Sequence, residues 1–396
     1  MTGALNGYRV IDTSSVVSGP LAAMMLADQG ADVIKVETVD AGDTTRTTLN
    51  YRAGMSALFA NTNRGKRSVA LDLKDPRGLA IVLDLVRGAD IFIENWRPGA
   101  AERLGLGEDD LRQVRPDLIY VSISGYGREG PYSNHRVYDP VIQAYVGMVG
   151  TQRNPDTGSI DLLRNIIADK VTSYTTAQAV TSALLARERG QGGQRVDVSM
   201  LDSTLAFFWP DGMMQHTMTG EGVEQPFSVS ELNRLWRTSD GYIVTLFQSP
   251  AEIRGLAAAL EHPEWAEDET FLDNAKRFHP DNFQRVMDAV QSAILGYTTE
   301  EIVERFSAED VPVAPVLERD EVFGNPQIQA VQSVIEVQAP GFGSYRQARP
   351  GARFSATPHE GPLHAPLHGE HNDEVLGELG YSAETIAELR AAAVIR

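Results

Sequence analysis

The chain has 396 residues, too many for one ordinary core, and the length points to two or three domains. Its hydrophobic share of 42% and charged share of 22% describe a globular protein with ample apolar material to bury. A formal charge of −19 excludes general nucleic-acid binding, which needs basic contacts that release counterions, and the absence of cysteine excludes thiolate nucleophiles and cysteine metal sites.

In chain order, Tyr8-Arg9-Val10-Ile11-Asp12 reads as a short apolar strand. Ser18-Gly19-Pro20 opens a helix with proline near its first position, Gly30 closes it, and Asp32-Val33-Ile34-Lys35-Val36-Glu37 is the next strand. The alternation repeats with a strand at 68–73, a helix at 76–87, a strand at 90–94, a helix ending at 111–114 and a strand at 118–123. Strands alternating with helices of this length predict an α/β fold whose parallel sheet is covered on both faces. A helix follows over 168–189, with apolar or small residues at Val171, Tyr174, Ala177, Val180, Ala183 and Leu184, and 194–200 returns to strand character.

Around residue 225 the texture changes. Two apolar runs, 235–238 and 242–247, flank Ser239-Asp240-Gly241, a hairpin signal, and helices follow at 251–260, 283–294 and 299–306. The expected division is a large domain of residues 1–224 and 331–396 and a smaller α+β domain of residues 225–330. The tail from 331 is β-like at first and then carries two short helices around 373–379 and 383–389. The first residues lack a basic start followed by an apolar stretch, and the most apolar run, 21–27, falls far below the ~20 residues of a membrane span. A cytoplasmic protein with no membrane association is expected, and missing cysteines fit a reducing compartment.

Several chemistries are poorly served. The turn Ser14-Ser15-Val16-Val17-Ser18-Gly19-Pro20 supplies one glycine where a dinucleotide fold needs G-x-G-x-x-G, so NAD or FAD use is not expected. His359, His364, His368 and His371 are separated by prolines and glycines and read as loop residues, so no metal site is expected. No G-x-S-x-G elbow is present for a serine hydrolase.

Basic residues gather at Arg64, Lys66, Arg67, Lys74 and Arg77, and again at Asn95-Trp96-Arg97-Pro98-Gly99 with Arg103. Such residues at strand ends and helix starts suit phosphate groups, and Trp96 can stack an adenine. The alternative is a solvated surface with one buried tryptophan. Residues 124–130, a glycine-containing loop after a strand, suit ligand contact. Asp169 stands between an apolar segment and the helix over 168–189. From the residues alone two readings stay open: a helix N-cap, or the carboxylate nucleophile of a chain that has no thiol.

Several segments together resemble the class III CoA-transferase family, which includes formyl-CoA, carnitine and bile-acid CoA transferases and the α-methylacyl-CoA racemases. They are 9–37 with Ser18-Gly19-Pro20, Asn63-Arg64-Gly65-Lys66-Arg67-Ser68-Val69-Ala70-Leu71-Asp72, 94–99, 124–131, Val137-Tyr138-Asp139-Pro140-Val141-Ile142-Gln143-Ala144, Ala168-Asp169-Lys170, 193–201 and the ending 369–395. The resemblance implies a Rossmann-like large domain plus a small domain, in an interlocked homodimer whose site lies between the large domain of one chain and the small domain of the other. It implies that Asp169 is the nucleophile and that Val17, Ser18, Lys74, Asn95, Trp96, Arg97, Arg103, Arg136 and Tyr138 hold CoA. No cofactor would be tightly bound; acyl-CoA and a carboxylic acid are the substrates.

The implied reaction passes CoA from an acyl-CoA donor to an acceptor acid through an aspartyl anhydride and an aspartyl-CoA thioester. Three positions depart from the family branches. Val17 stands where the formyl-CoA branch has Gln, and Phe247-Gln248-Ser249-Pro250 replaces its run of glycines, so a larger or more apolar acid than formate or oxalate is expected. Tyr138 stands where the racemase branch has the His of a two-base pair, and a tyrosine with pKa near ~10 shuttles protons poorly at neutral pH. A racemase or epimerase, and a catalytically silent CoA-binding protein, are the alternatives.

Overall fold

The computed structural model describes residues 2–154, 157–223, 229–361 and 363–396, and residue 231 by its backbone alone. Six parallel strands form the main sheet: β1 (Arg9–Asp12), β2 (Asp32–Thr38), β3 (Arg67–Leu71), β4 (Ile91–Glu94), β5 (Ile119–Ser124) and β6 (Arg195–Ser199), in the order β3-β2-β1-β4-β5-β6. The mixed α/β architecture expected from the alternating pattern is present.

These strands read as nearly continuous apolar runs because both faces of the sheet are buried. Successive residues point to opposite sides, so Val10, Val33, Ile91 and Ile119 enter one core while Ile11, Ile34, Phe92 and Tyr120 enter the other. The second core is covered by α2 (Pro76–Arg87), which buries Ile81, Val82, Leu85 and Val86, and by the tail helices Asn372–Glu378 and Ala383–Ala391. Helix α2 begins where the Asp75 side chain accepts the Arg77 N–H ahead of Pro76, and it ends at Gly88. Each of its buried aliphatic residues contributes roughly 1.5–3 kcal/mol, an upper bound because unfolded chains already bury some surface.

The first core is covered by α1 (Ser18–Ala27), through Ala23, Leu26 and Ala27, and by α4 (Ile167–Ala186), through Ala177, Val180, Ala183 and Leu184. Helix α3 (Asp139–Tyr145) lies between β5 and α4 in the chain and packs against α4. Both α1 and α4 run back along the sheet from the carboxyl ends of its strands. Their first turns therefore meet at that edge.

The chain divides into two compact units, Met1–Phe207 with Gln332–Arg396, and Phe208–Val331. The boundary expected at 224/225 lies outside the described residues. The observed division falls inside the helix Met200–Gly212, where no change of composition marks it. The smaller unit has a three-stranded antiparallel sheet, β7 (Trp236–Arg237), β8 (Tyr242–Thr245) and β9 (Val313–Pro315), in the order β9-β8-β7. Trp236, Ile243, Leu256, Val290, Ile302 and Phe306 form its core, with helices Pro250–Ala259, Pro280–Ile294 and Thr299–Ala308. Among the described residues no helix is long and apolar enough to cross a membrane.

Candidate active site

Strand β1 has β2 on one side and β4 on the other, so the connections leaving β1 and β4 diverge at the carboxyl edge of the sheet. Such a switch point opens a crevice, and ligands of parallel α/β sheets bind there. The connection after β1, Thr13 to Pro20, is fixed by side chains from four separate places. Asn95, just past β4, accepts the Ser15 N–H at 2.9 Å and donates to the Ser15 carbonyl at 2.7 Å. Lys35 on β2 donates to the Ser14 carbonyl at 2.9 Å, and Lys66 donates to the Pro20 carbonyl at 2.8 Å. Asp43 accepts the Val16 N–H at 3.4 Å.

These clamps hold a costly conformation. Val16 has φ 71°, the left-handed region that a β-branched residue rarely enters. Gly19 is required beside it, since a Cβ there would lie 2.3 Å from the Ser14 side chain. The charges beneath the turn are fully buried yet mutually paired: Lys66 with Asp12 at 2.7 Å, and Lys35 with Asp43 at 3.0 Å. Burial pushes the Lys66 ammonium down to about 8, against the pull of Asp12 and with a push from Lys35.

Asp169 is the third residue of α4, with Ile166 in the cap position, so it does not act as the N-cap. Its Oδ1 accepts from the Ser18 hydroxyl at 2.5 Å. Its own N–H donates to Oδ2 of Asp139 at 3.0 Å, so a residue from the neighbouring helix satisfies this first-turn donor. Asp139 is buried and its Oδ1 accepts from Gln143 at 2.6 Å. Burial raises the Asp169 carboxyl to about 6; the Ser18 hydroxyl opposes that rise and the Asp139 charge adds to it. Val17, Leu21, Met24 and Ile166 form an apolar cluster that ties the two helix starts together.

The other expected residues separate into two groups. Arg64 is paired with Asp28, Arg67 with Asp32, Glu374 and Glu378, and Arg77 with Asp75, so with Lys66 they serve the fold. Lys74, Arg97, Arg103 and Arg136 are exposed and have no carboxylate partner among the described residues. A cavity of about 400 Å³ opens at the carboxyl ends of β1, β2 and β3, lined by Ser14, Ser15, Lys35, Asp43, Lys74 and Trp96 among others. Trp96 also packs on the core, and its backbone N–H donates to Oε2 of Glu94 at 2.7 Å. Tyr138 is 72% exposed, while the adjacent Asp139 turns inward to Asp169.

The profile of CoA-transferase family III matches residues 5–372. The succinate–glutarate CoA-transferase of Agrobacterium fabrum is 32% identical over 387 residues, spanning 95% of each chain. An acyl-CoA transferase of Fusarium pseudograminearum is 32% identical over 413 residues, 99% of this chain and 88% of its own. The chain belongs to CoA-transferase family III. The crystal structure of Rv3272 from Mycobacterium tuberculosis superposes with a TM-score of 0.81 at 30% identity, across 94% of this family III chain and 99% of that one. The family III match takes in the clamped turn, Asp139 and Asp169. Two residues behind Asp169 are absent from the sequence expectations: Asp139, which accepts its N–H, and Gln143, which donates to Asp139. Their four-residue spacing within Asp139-Pro140-Val141-Ile142-Gln143 was the available signal, a carboxylate and an amide on one helix face.

Proposed function

We propose that this family III enzyme moves CoA from an acyl-CoA donor to a carboxylic acid acceptor, using Asp169 as its nucleophile. The observation that carries the reading is a carboxylate outside the cap position, held by a hydroxyl at the meeting of two helix starts. A carboxylate raised to about 6 is still ionised at neutral pH, as attack requires, and is more basic than an ordinary aspartate.

Asp169 attacks the thioester carbonyl, the C–S bond breaks, and a mixed anhydride and a CoA thiolate result. The thiolate attacks the aspartyl Cγ, and the donor acid leaves as its carboxylate. An acceptor carboxylate then displaces the thiolate from Cγ, and the thiolate takes the acyl group from that second anhydride. Each step exchanges one acyl bond for another, so no ATP is needed. The cavity with Trp96 and Lys74, together with Arg97, Arg103 and Arg136, supports a nucleotide-bearing substrate such as CoA, with phosphates at the unpaired cations. We read the working form as a cytoplasmic, interlocked homodimer.

The Agrobacterium fabrum relative is named for succinate and glutarate, so those acids head a panel that extends to larger and more apolar ones. Intact-protein mass spectrometry after mixing with acyl-CoA should show a CoA adduct. Hydroxylamine should convert that adduct to a hydroxamate at Asp169 and inactivate the enzyme. An unmodified Asp169 with turnover intact would overturn the reading.

A further inference from the structure

The two oxygens of Asp169 are not equivalent. Oδ1 accepts the Ser18 hydroxyl at 2.5 Å, a length typical of an O–H donor on a charged oxygen, whereas Oδ2 has no protein donor among the described residues. Ser18 has little freedom to leave. It is 4% exposed, begins α1, and follows the left-handed Val16 in a turn clamped from four sides. The hydroxyl is thus aimed at one oxygen, and the other is open to an electrophile.

We propose that Ser18 is a catalytic hydroxyl that leaves Oδ2 as the attacking oxygen and then serves Oδ1 as an oxyanion donor. The proposal rests on the reading of Asp169 as nucleophile. Once Oδ2 has been acylated, Oδ1 is the carbonyl oxygen of the anhydride and carries little charge. When the thiolate forms its bond to Cγ, the Cγ–Oδ1 π pair moves onto Oδ1. The Ser18 hydrogen bond strengthens as that charge develops. Collapse returns the pair, breaks Cγ–Oδ2 and releases the donor carboxylate. No proton changes hands. The same hydroxyl serves when the acceptor carboxylate attacks the aspartyl thioester.

The contrast with the first attack is informative. There the hydrogen bond already stabilises the charged carboxylate before reaction, so it gives little acceleration, because only interactions stronger in the transition state raise the rate. Ser18 therefore acts on the steps that begin from an acylated Asp169. A variant without the hydroxyl should form the first anhydride and stall there.

The test compares Ser18→Ala with wild type across a pH series, following kcat, KM for acyl-CoA and, by intact-protein mass spectrometry, the covalent species on Asp169. Removal of the hydroxyl should lower kcat by about 10²–10³. That loss should persist up to about pH 9, well above the range in which Asp169 ionises. KM should change little, and the covalent pool should shift from the mass of the aspartyl-CoA thioester to that of the acyl anhydride. If kcat of Ser18→Ala returns to the wild-type value at alkaline pH, the hydroxyl only adjusts ionisation and the proposal fails. A kcat near wild type throughout also rejects it. Should the alanine variant not fold, Ser18→Gly removes the hydroxyl at the helix start without adding a titrating group and carries the same comparison. Failure of the underlying reading is seen separately, as a wild-type Asp169 that never acquires a label.

Discussion

Asp169 is held at a thermodynamic disadvantage. Its carboxyl rises from the usual 3.8 to about 6, chiefly through burial, so in this range the unfolded chain gives up its proton first. Between those values the folded state binds more protons than the unfolded one, and stability falls as pH rises. Below both values the penalty is absent; above about 6 it is complete. Allowing for the solvent that reaches this partly buried group, the cost at neutral pH is roughly 2 kcal/mol. Asp169→Asn keeps the acceptor for Ser18 and removes the charge. It should abolish transfer yet raise Tm at pH near 7.5, with the gain vanishing near pH 4. Thermal melts of both proteins across that range check the sign. A variant less stable than wild type at neutral pH would contradict it.

At the scale of the element, the turn from Thr13 to Pro20 stores strain at Val16. A left-handed L-residue costs about 1–2 kcal/mol, and such strain persists only where the surroundings over-determine it. Val16→Gly removes that cost, so stability should rise by no more than about 1 kcal/mol once the greater freedom of the unfolded glycine and the lost packing of Val16 on Val17, Leu21 and Met24 are set against it. The same change frees Ser18 to wander from Asp169. Turnover should therefore fall while KM for acyl-CoA is kept, a pairing of opposite signs that melts and steady-state kinetics can test. A drop in both would show that Val16 is needed for folding rather than for aiming the hydroxyl. The sequence made part of this element legible. Pro20 and Gly30 bracket α1, just as Asp75, Pro76 and Gly88 bracket α2, because capping and backbone preference act locally. The clamps were not legible, since Asn95 meets Ser15 across 80 positions and Lys66 meets Asp12 across 54. For the same reason Arg64, Lys66, Arg67, Lys74 and Arg77, read from the sequence, suit either phosphate groups or a solvated surface. Composition reveals charge, but only the fold brings Asp28, Asp12 and Asp32 beside three of them.

At the scale of the whole molecule, a chain of charge −19 leaves apolar side chains uncovered. In the smaller unit, Ile243 and Thr245 of β8 point into the core, while Tyr242, Val244 and the following Leu246 are 47%, 49% and 43% exposed. In the larger unit Tyr138, Tyr145 and Tyr174 are also exposed. Tyr242, Val244 and Leu246 alternate along one strand face, an apolar stripe of the kind that marks association, and the proposed partner is a second copy. Two such copies repel each other through their net charge, so apolar contact must supply the attraction and added salt should strengthen it. Val244→Lys separates the two possibilities for the β8 face. At a half-exposed position in a lone chain the lysine is solvated and its effect on Tm is small. Covered by a partner, its ammonium loses hydration at a cost of several kcal/mol. Sedimentation should therefore find wild type at twice the mass of one chain, while Val244→Lys, whose interlocked chains cannot part without unfolding, should yield less dimer and melt at a lower temperature. A monomeric wild type rejects the dimer; an unaffected Val244→Lys dimer moves its interface away from β8.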